Sequence, residues 1–218
     1  MRTLALFTSL LLHSAITLKA QGQQDLPYGR NLLQDPGAEL SFTVENDPWW
    51  FAPEHEGQPY GLKRVPYGGT DSVFSASWGT AHGHGAHYFE YNSAVARPIL
   101  SRAQVVDISQ FADSIDKGRV VLRMGVQMAS VNSRDYHGRM VAYYLNEKDE
   151  EIGVLRTQDI KRMHVMDKAW RYFPATGASD VPKGARRLVV MLELWNDAPD
   201  MPGVLALDDL YVKLAPFQ

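Results

Sequence analysis

The sequence predicts an all-β fold, an antiparallel β-sandwich with one or two short helices. Three observations carry that prediction. Long segments alternate apolar and polar residues with period two, the mark of a strand with one buried face. In "RVVLRMGVQMAS", Val120, Leu122, Met124, Val126 and Met128 share one face, and Val121, Arg123, Gly125 and Gln127 share the other. Glycine, proline and Asn/Asp turns such as "NEKDEE" and "NDAPDMPG" separate these segments, the layout of sheet packed on sheet. Helical periodicity is scarce: "SQFADSID" and "TQDIKRMHVM" offer it, and both are short.

In chain order, Met1-Arg2-Thr3 leads into the apolar run "LALFTSLLLHSAITL", then Lys19-Ala20, then the polar "QGQQ". A basic start, a short apolar core and a small residue before polar sequence describe a secretory signal peptide over residues 1–20. The run falls short of the roughly 20 apolar residues of a membrane span, so no span is expected after cleavage; an uncleaved anchor is the alternative. Residues 21–30 read as a flexible leader and 31–218 as one domain, long enough for a sizeable core. The expected location is secreted, extracellular or periplasmic. "DSVFSASWG", "AHYFEYN" and "AQVVDIS" read as short strands, and "RVVLRMGVQMAS" and "GRMVAYYLNE" as long ones. "RRLVVMLELW" places Leu188, Val190, Leu192 and Leu194 on one face, and "VLALDDLYVKL" closes the chain.

A net charge of −3 and a pI near 6.2 give no basic footprint for nucleic acid. The chain has no cysteine, so a secreted domain must rely on its core, on bound metal, or on both. There is no nucleophile elbow, phosphate loop or dinucleotide fingerprint, and the chain is expected not to be an enzyme. Glu54, Glu56, Glu90 and Glu193 are available for glycoside hydrolysis only if two of them stand at the right separation.

The order of motifs is more specific than any one of them. "NLLQDPGAE" opens the domain, followed by "DPWW", "GHGAHYFEY", "AQVVDISQFADSIDKGRVVLRM", "YYLNEKDEEIG", "VPKGARRLVVMLEL" and "LALDDLYVKL". Over residues 30–214 the series resembles the galactose-binding-like β-sandwich jelly rolls, similar to carbohydrate-binding modules of bacterial secreted proteins. The resemblance implies a non-catalytic module whose partner is an extracellular glycan or polysaccharide. A structural or adhesive matrix protein, with an extracellular protein as partner, is the competing expectation, because one fold of this kind serves many roles.

In the last strand, alternation puts Asp208 in line with Ala206, Leu210, Val212 and Leu214. A charge on an apolar face needs a partner. The resemblance implies a structural calcium shared by Asp208 and Glu39; the alternatives are a turn cap or a pairing with Arg186 or Arg187. Calcium suits carboxylate and backbone oxygens in loose geometry.

"HGHGAH" holds His82, His84 and His87. Their spacing does not match a helical zinc pair, and the glycines soften the entry to a strand, so these are expected to be exposed turn histidines. Sugar binding wants flat aromatic faces beside polar groups. Trp195 has the polar parity of its strand and runs into Asn196; Arg134 and Tyr136 lie in the loop "SVNSRDYHG"; Trp78 is a further aromatic. These five are the predicted ligand-binding set. Of the adjacent Trp49 and Trp50, Trp50 is assigned to the core.

Overall fold

The structure is a computed structural model that describes residues 28–40, 47–51, 62–70, 72, 74–81, 83–91, 100–131, 136–157, 171–174, 179–197 and 204–217. The predicted signal peptide, most of the leader, the "TQDIKRMHVM" segment beyond Thr157, and the residues Arg134, Glu54, Glu56 and His82 lie outside these.

The strands are β1 (Trp50–Phe51), β2 (Leu62–Pro66), β3 (His87–Tyr91), β4 (Leu100–Asp107), β5 (Val120–Val131) and β6 (Tyr136–Leu145). They continue as β7 (Glu151–Arg156), β8 (Arg171–Pro174), β9 (Ser179–Asp180), β10 (Arg187–Asn196) and β11 (Val204–Pro216). Among the described residues two short helices accompany them, α1 (Ala76–Ala81) and α2 (Ala112–Asp116), the second entered through a 3-10 turn at Ser109–Phe111. One sheet has the order β1-β4-β10-β6-β7, and the other β2-β3-β11-β5-β8 with β9 also pairing β5. All pairings are antiparallel. The molecule is the predicted antiparallel β-sandwich of jelly-roll type.

The alternation read from sequence becomes the core. Leu188, Val190, Leu192 and Leu194 from one sheet meet Leu122, Met124, Val126 and Met128 from the other in one buried cluster, with side chains shielded from water on both flanks. Residues 28–40 then lace the start of the chain to its end. The Leu32 N–H donates to the Val212 carbonyl (2.8 Å), and the Asn31 side chain donates to the Leu210 carbonyl (2.7 Å) while accepting from the Val212 N–H (3.0 Å). The opening and closing motifs thus lie side by side.

Three local features are not expected from the sequence. The segment expected to be a strand over "DSVFSASWG" forms α1: the Ser75 hydroxyl accepts the Trp78 N–H at 3.1 Å, capping the helix. Trp49, which the sequence reading did not assign to the core, is 1% exposed and edge-on to Phe89 at 6.3 Å; the assignment of Trp50 to the core falls on a side chain outside those described. Most consequentially, β11 carries a bulge. Asp208 faces Gln127 but Tyr211 faces Gly125, so three steps on β11 match two on β5, with Asp209 at φ 50°. The extra residue reverses the parity. Leu205 and Leu207 before it and Leu210, Val212 and Leu214 after it all enter the core. Ala206 instead joins a second cluster, with Val65, Tyr67, Phe74 and Tyr88, on the outer side of the second sheet, and Asp208 shares that side. Gly125 accommodates the turned-out Tyr211, whose ring would stand 2.7 Å from a Cβ there.

Candidate functional site

The outer face of the five-stranded sheet is unusual in being apolar at its centre. Outward residues of β4, β6 and β10 form a small buried cluster of Ala103, Val141 and Met191, with the partly buried Tyr143 and Val189 packed against it. Further along β10, Glu193 and Trp195 continue the same face. Trp195 is partly exposed and sits directly opposite His137 in register. The two rings are parallel within 4° at 5.2 Å. The Arg139 guanidinium lies over the indole, 5.6 Å from its centroid, and also pairs with Glu193. His137 is fixed in turn by Asp197, 2.9 Å from its Nε2. The tryptophan is therefore held by its neighbours rather than swinging freely, which lowers the entropy lost on binding a ligand. Burial, then the charge of Glu193, pushes the Tyr143 phenol above its usual range, so its hydroxyl keeps its proton at neutral pH.

The predicted ligand set divides. Trp195 faces outward as expected. Tyr136 and Asn196 are both 0% exposed: they occupy the opposite parity of β6 and β10, and Tyr136 packs edge-on to Tyr91 at 5.8 Å. Neither is presented to a ligand. Trp78 lies on the far side of the sandwich, packed with Phe74 at 4.7 Å and Tyr67 at 6.1 Å. Arg134 is outside the described residues. Sequence reasoning missed Arg139 and Tyr143 as companions of Trp195. Their parity with His137 was legible, but their register against β10 was not.

A second cluster surrounds Asp208, on the outer side of the other sheet. Its carboxylate is fully buried. The Tyr67 hydroxyl donates to Oδ2 at 2.8 Å, and the Asp209 N–H donates to Oδ1 at 2.7 Å. His84 Nδ1 stands 3.4 Å from Asp208 Oδ2 and 2.9 Å from Asp209 Oδ2. The His84 ring stacks within 14° of Tyr67 and within 17° of Trp78. His84 is therefore a buried, oriented imidazole and not an exposed turn histidine; the aromatic cluster over the sheet, invisible to local spacing, encloses it. Burial first, then the negative charges of Asp209 and Glu39, push the Asp208 carboxyl up to about 7. Burial and the neighbouring Asp208 carboxylate push the Tyr67 phenol well above its usual range.

Glu39 accepts the His87 N–H at 2.9 Å, and its carboxylate rests against Gly85, where any side chain would collide with it. Glu39, Asp208 and Asp209 line one open cavity of about 870 Å3. Ligand atoms of His84, Asp208 and Asp209 lie within 4.8 Å of one another, and Glu39 stands outside that tighter set. The arginines offered as alternative partners are engaged elsewhere: Arg186 with Asp116 at 2.7 Å, and Arg187 with Asp149.

The geometry also bears on hydrolysis. Glu90 lies on the outer side of β3, near the Tyr88 hydroxyl at 3.4 Å, whereas Glu193 lies on the outer side of β10 in the other sheet. The two sheets of a sandwich are about 10 Å apart before outward side chains are added, so these carboxylates cannot flank one glycosidic bond.

No protein-family profile matches the sequence, and no curated protein matches it. Solved structures do. A Stig cyclase from Fischerella sp. TAU aligns with a TM-score of 0.55 and 13% identity, over 86% of this chain and 98% of that one. The enzymatically active domain of bacteriophage CBA120 tailspike protein 4 aligns with a TM-score of 0.51 and 12% identity, over 85% of this chain. The chain spans only 21% of that protein's length. The C-terminal family 22 carbohydrate-binding module of Clostridium thermocellum Xyn10B aligns with a TM-score of 0.48 and 10% identity, over 88% of this chain and 98% of the module. At these identities the likeness is one of fold. The chain shares a β-sandwich fold with the cyclase and the tailspike domain, and a fold of this kind does not fix a function. Among the described residues no helix is long and apolar enough to cross a membrane.

Proposed function

We propose that this chain is a secreted, non-catalytic module that binds an extracellular carbohydrate on the outer face of its five-stranded sheet. The observation that carries the proposal is Trp195: a partly exposed indole held by His137 and Arg139, on the same face as the partly exposed Tyr143 and Val189. An exposed aromatic face beside charged and hydroxyl groups suits the two-sided chemistry of a pyranose. Because fold neighbours include both enzymes and binding modules, the function rests on this face and not on kinship.

A calcium ion at the second cluster belongs to the same proposal. Three carboxylates, Glu39, Asp208 and Asp209, share one cavity, and their mutual repulsion helps raise the Asp208 pKa. A hard cation relieves that repulsion and accepts oxygen ligands in loose geometry. Asp208 and Asp209 on β11, with Glu39 on the opening segment, would then tie the two ends of the chain together. His84, a nitrogen donor, serves there as a hydrogen-bonding neighbour of the carboxylates.

A glycan array probed with the purified chain, with and without calcium, tests the binding function. Trp195→Ala is expected to weaken binding roughly thirtyfold, equivalent to the loss of an aromatic anchor worth about 2 kcal/mol, with circular dichroism unchanged. A blank array together with capture of a secreted protein favours the adhesive alternative. Turnover of a polysaccharide overturns both.

A further inference from the structure

The outer face of the five-stranded sheet carries three arginines from its central and edge strands, and two are neutralised. Arg139 is paired with Glu193, and Arg187 with Asp149. Arg156, the exposed last residue of β7, lies beside the Tyr143 phenol. Among the described residues no carboxylate is paired with it. A guanidinium beside a neutral phenol retains its full charge and most of its donors. Its planar fork matches a carboxylate or a sulfate ester in two parallel hydrogen bonds.

Its position relative to the indole sets the size of the ligand. Arg156 faces Val141 across β6, Val141 faces Met191 across β10, and Met191 faces Ala103 across β4. Arg156 therefore stands, exposed, at the β7 end of the row that runs through this buried cluster. Trp195 is two strands away and four residues further along β10. With strands about 4.8 Å apart and a rise of about 3.3 Å per residue, the backbone positions are about 16 Å apart. That is too far for one sugar ring to touch both. An anionic substituent at Arg156 must sit on a different ring from the one stacked at Trp195.

We infer that the ligand is an anionic polysaccharide, its rings bearing carboxylate or sulfate ester groups, with Arg156 receiving one oxyanion while Trp195 holds a separate ring. The inference rests on the carbohydrate-binding function proposed above and assigns its substrate class. The chain as a whole is acidic, at −3, so it has no general attraction for polyanions. A preference for them must come from this face.

The test is affinity electrophoresis and calorimetry of the purified chain on polysaccharides matched in backbone: neutral xylan against glucuronoxylan, with polygalacturonate and a sulfated galactan as further arms. At least tenfold tighter binding to an anionic polymer than to the neutral one is expected, and the stronger of the uronate and sulfate arms identifies the oxyanion. Free glucuronate is expected to compete poorly, since it reaches only one of the two positions. Arg156→Ala, with its melting temperature checked, should collapse the anionic-to-neutral ratio towards one; Arg156→Lys should restore it only in part, because the charge returns without the fork. Equal binding of neutral and anionic chains, or a ratio untouched by Arg156→Ala, overturns the inference and leaves carbohydrate binding standing. Failure of the wild-type chain to bind any polysaccharide overturns the carbohydrate reading itself.

Discussion

Trp49→Ala is expected to lower the unfolding free energy by about 3–5 kcal/mol, the range for emptying a buried tryptophan site. The indole is almost wholly shielded, packs edge-on to Phe89, and donates from Nε1 to the Asp35 carbonyl at 3.3 Å. Its backbone is pinned as well: the N–H donates to Asp47 at 2.9 Å, and the carbonyl accepts Arg102 at 2.6 Å. Arg64 bridges Asp35 and Asp47 beside it. With so many fixed neighbours the site cannot collapse to fill the void, so the cost should fall near the upper end. Urea unfolding followed by circular dichroism measures it, and a loss below about 1 kcal/mol would show that Trp49 is not a core residue.

Asp208→Asn is expected to change how stability depends on pH and on calcium together. In chelator, the wild-type carboxyl titrates near 3.8 when unfolded and near 7 when folded. Between those values the folded state holds a proton that the unfolded state has released. Stability therefore falls as pH rises from about 4 to about 7 and is flat beyond. The full span is roughly 4 kcal/mol as an upper bound, at about 1.4 kcal/mol per unit. Asparagine carries no such proton: its oxygen still accepts from one of the two donors, and the Tyr67 hydroxyl can turn to accept from its amide. The variant should lack this slope and should be more stable than wild type at pH 8 in chelator. Millimolar calcium should reverse the order, because an ion at 100 times its dissociation constant stabilises the wild type by about 2.7 kcal/mol and the variant lacks its central ligand. Identical pH slopes for the two proteins in chelator would remove the buried titrating carboxyl; an unchanged melting temperature of wild type with calcium would remove the ion.

How much of the site was legible depended on how local its cause was. The outward direction of Trp195 followed from the parity of one strand, and the structure keeps it. The same parity rule applied to β6 and β10 places Tyr136 and Asn196 inward; adjacency in sequence had suggested a shared loop, where the pleat sends neighbours to opposite sides. His84 looked like a residue of a loose turn because its stacking partners, Tyr67 and Trp78, come from other segments.

The sequence by itself determined what repeats at short range: two-residue alternation long enough to define both sheets, and the brief helix at Ala112–Asp116. Side-chain alternation needs only neighbouring residues, so composition and order suffice to set it. Tertiary structure decided what depends on pairing. One extra residue in β11 reverses the parity after Asp208, moving that carboxylate out of the main core and into contact with Tyr67, His84 and the cavity shared with Glu39. Register across β10 brings Arg139 to Trp195 and sets Arg156 apart from it. A bulge or a register shift costs little in local sequence signal, because any residue of tolerable backbone conformation can host it. Its effect on which groups meet is nonetheless complete, since a one-residue slip exchanges the two faces of a strand.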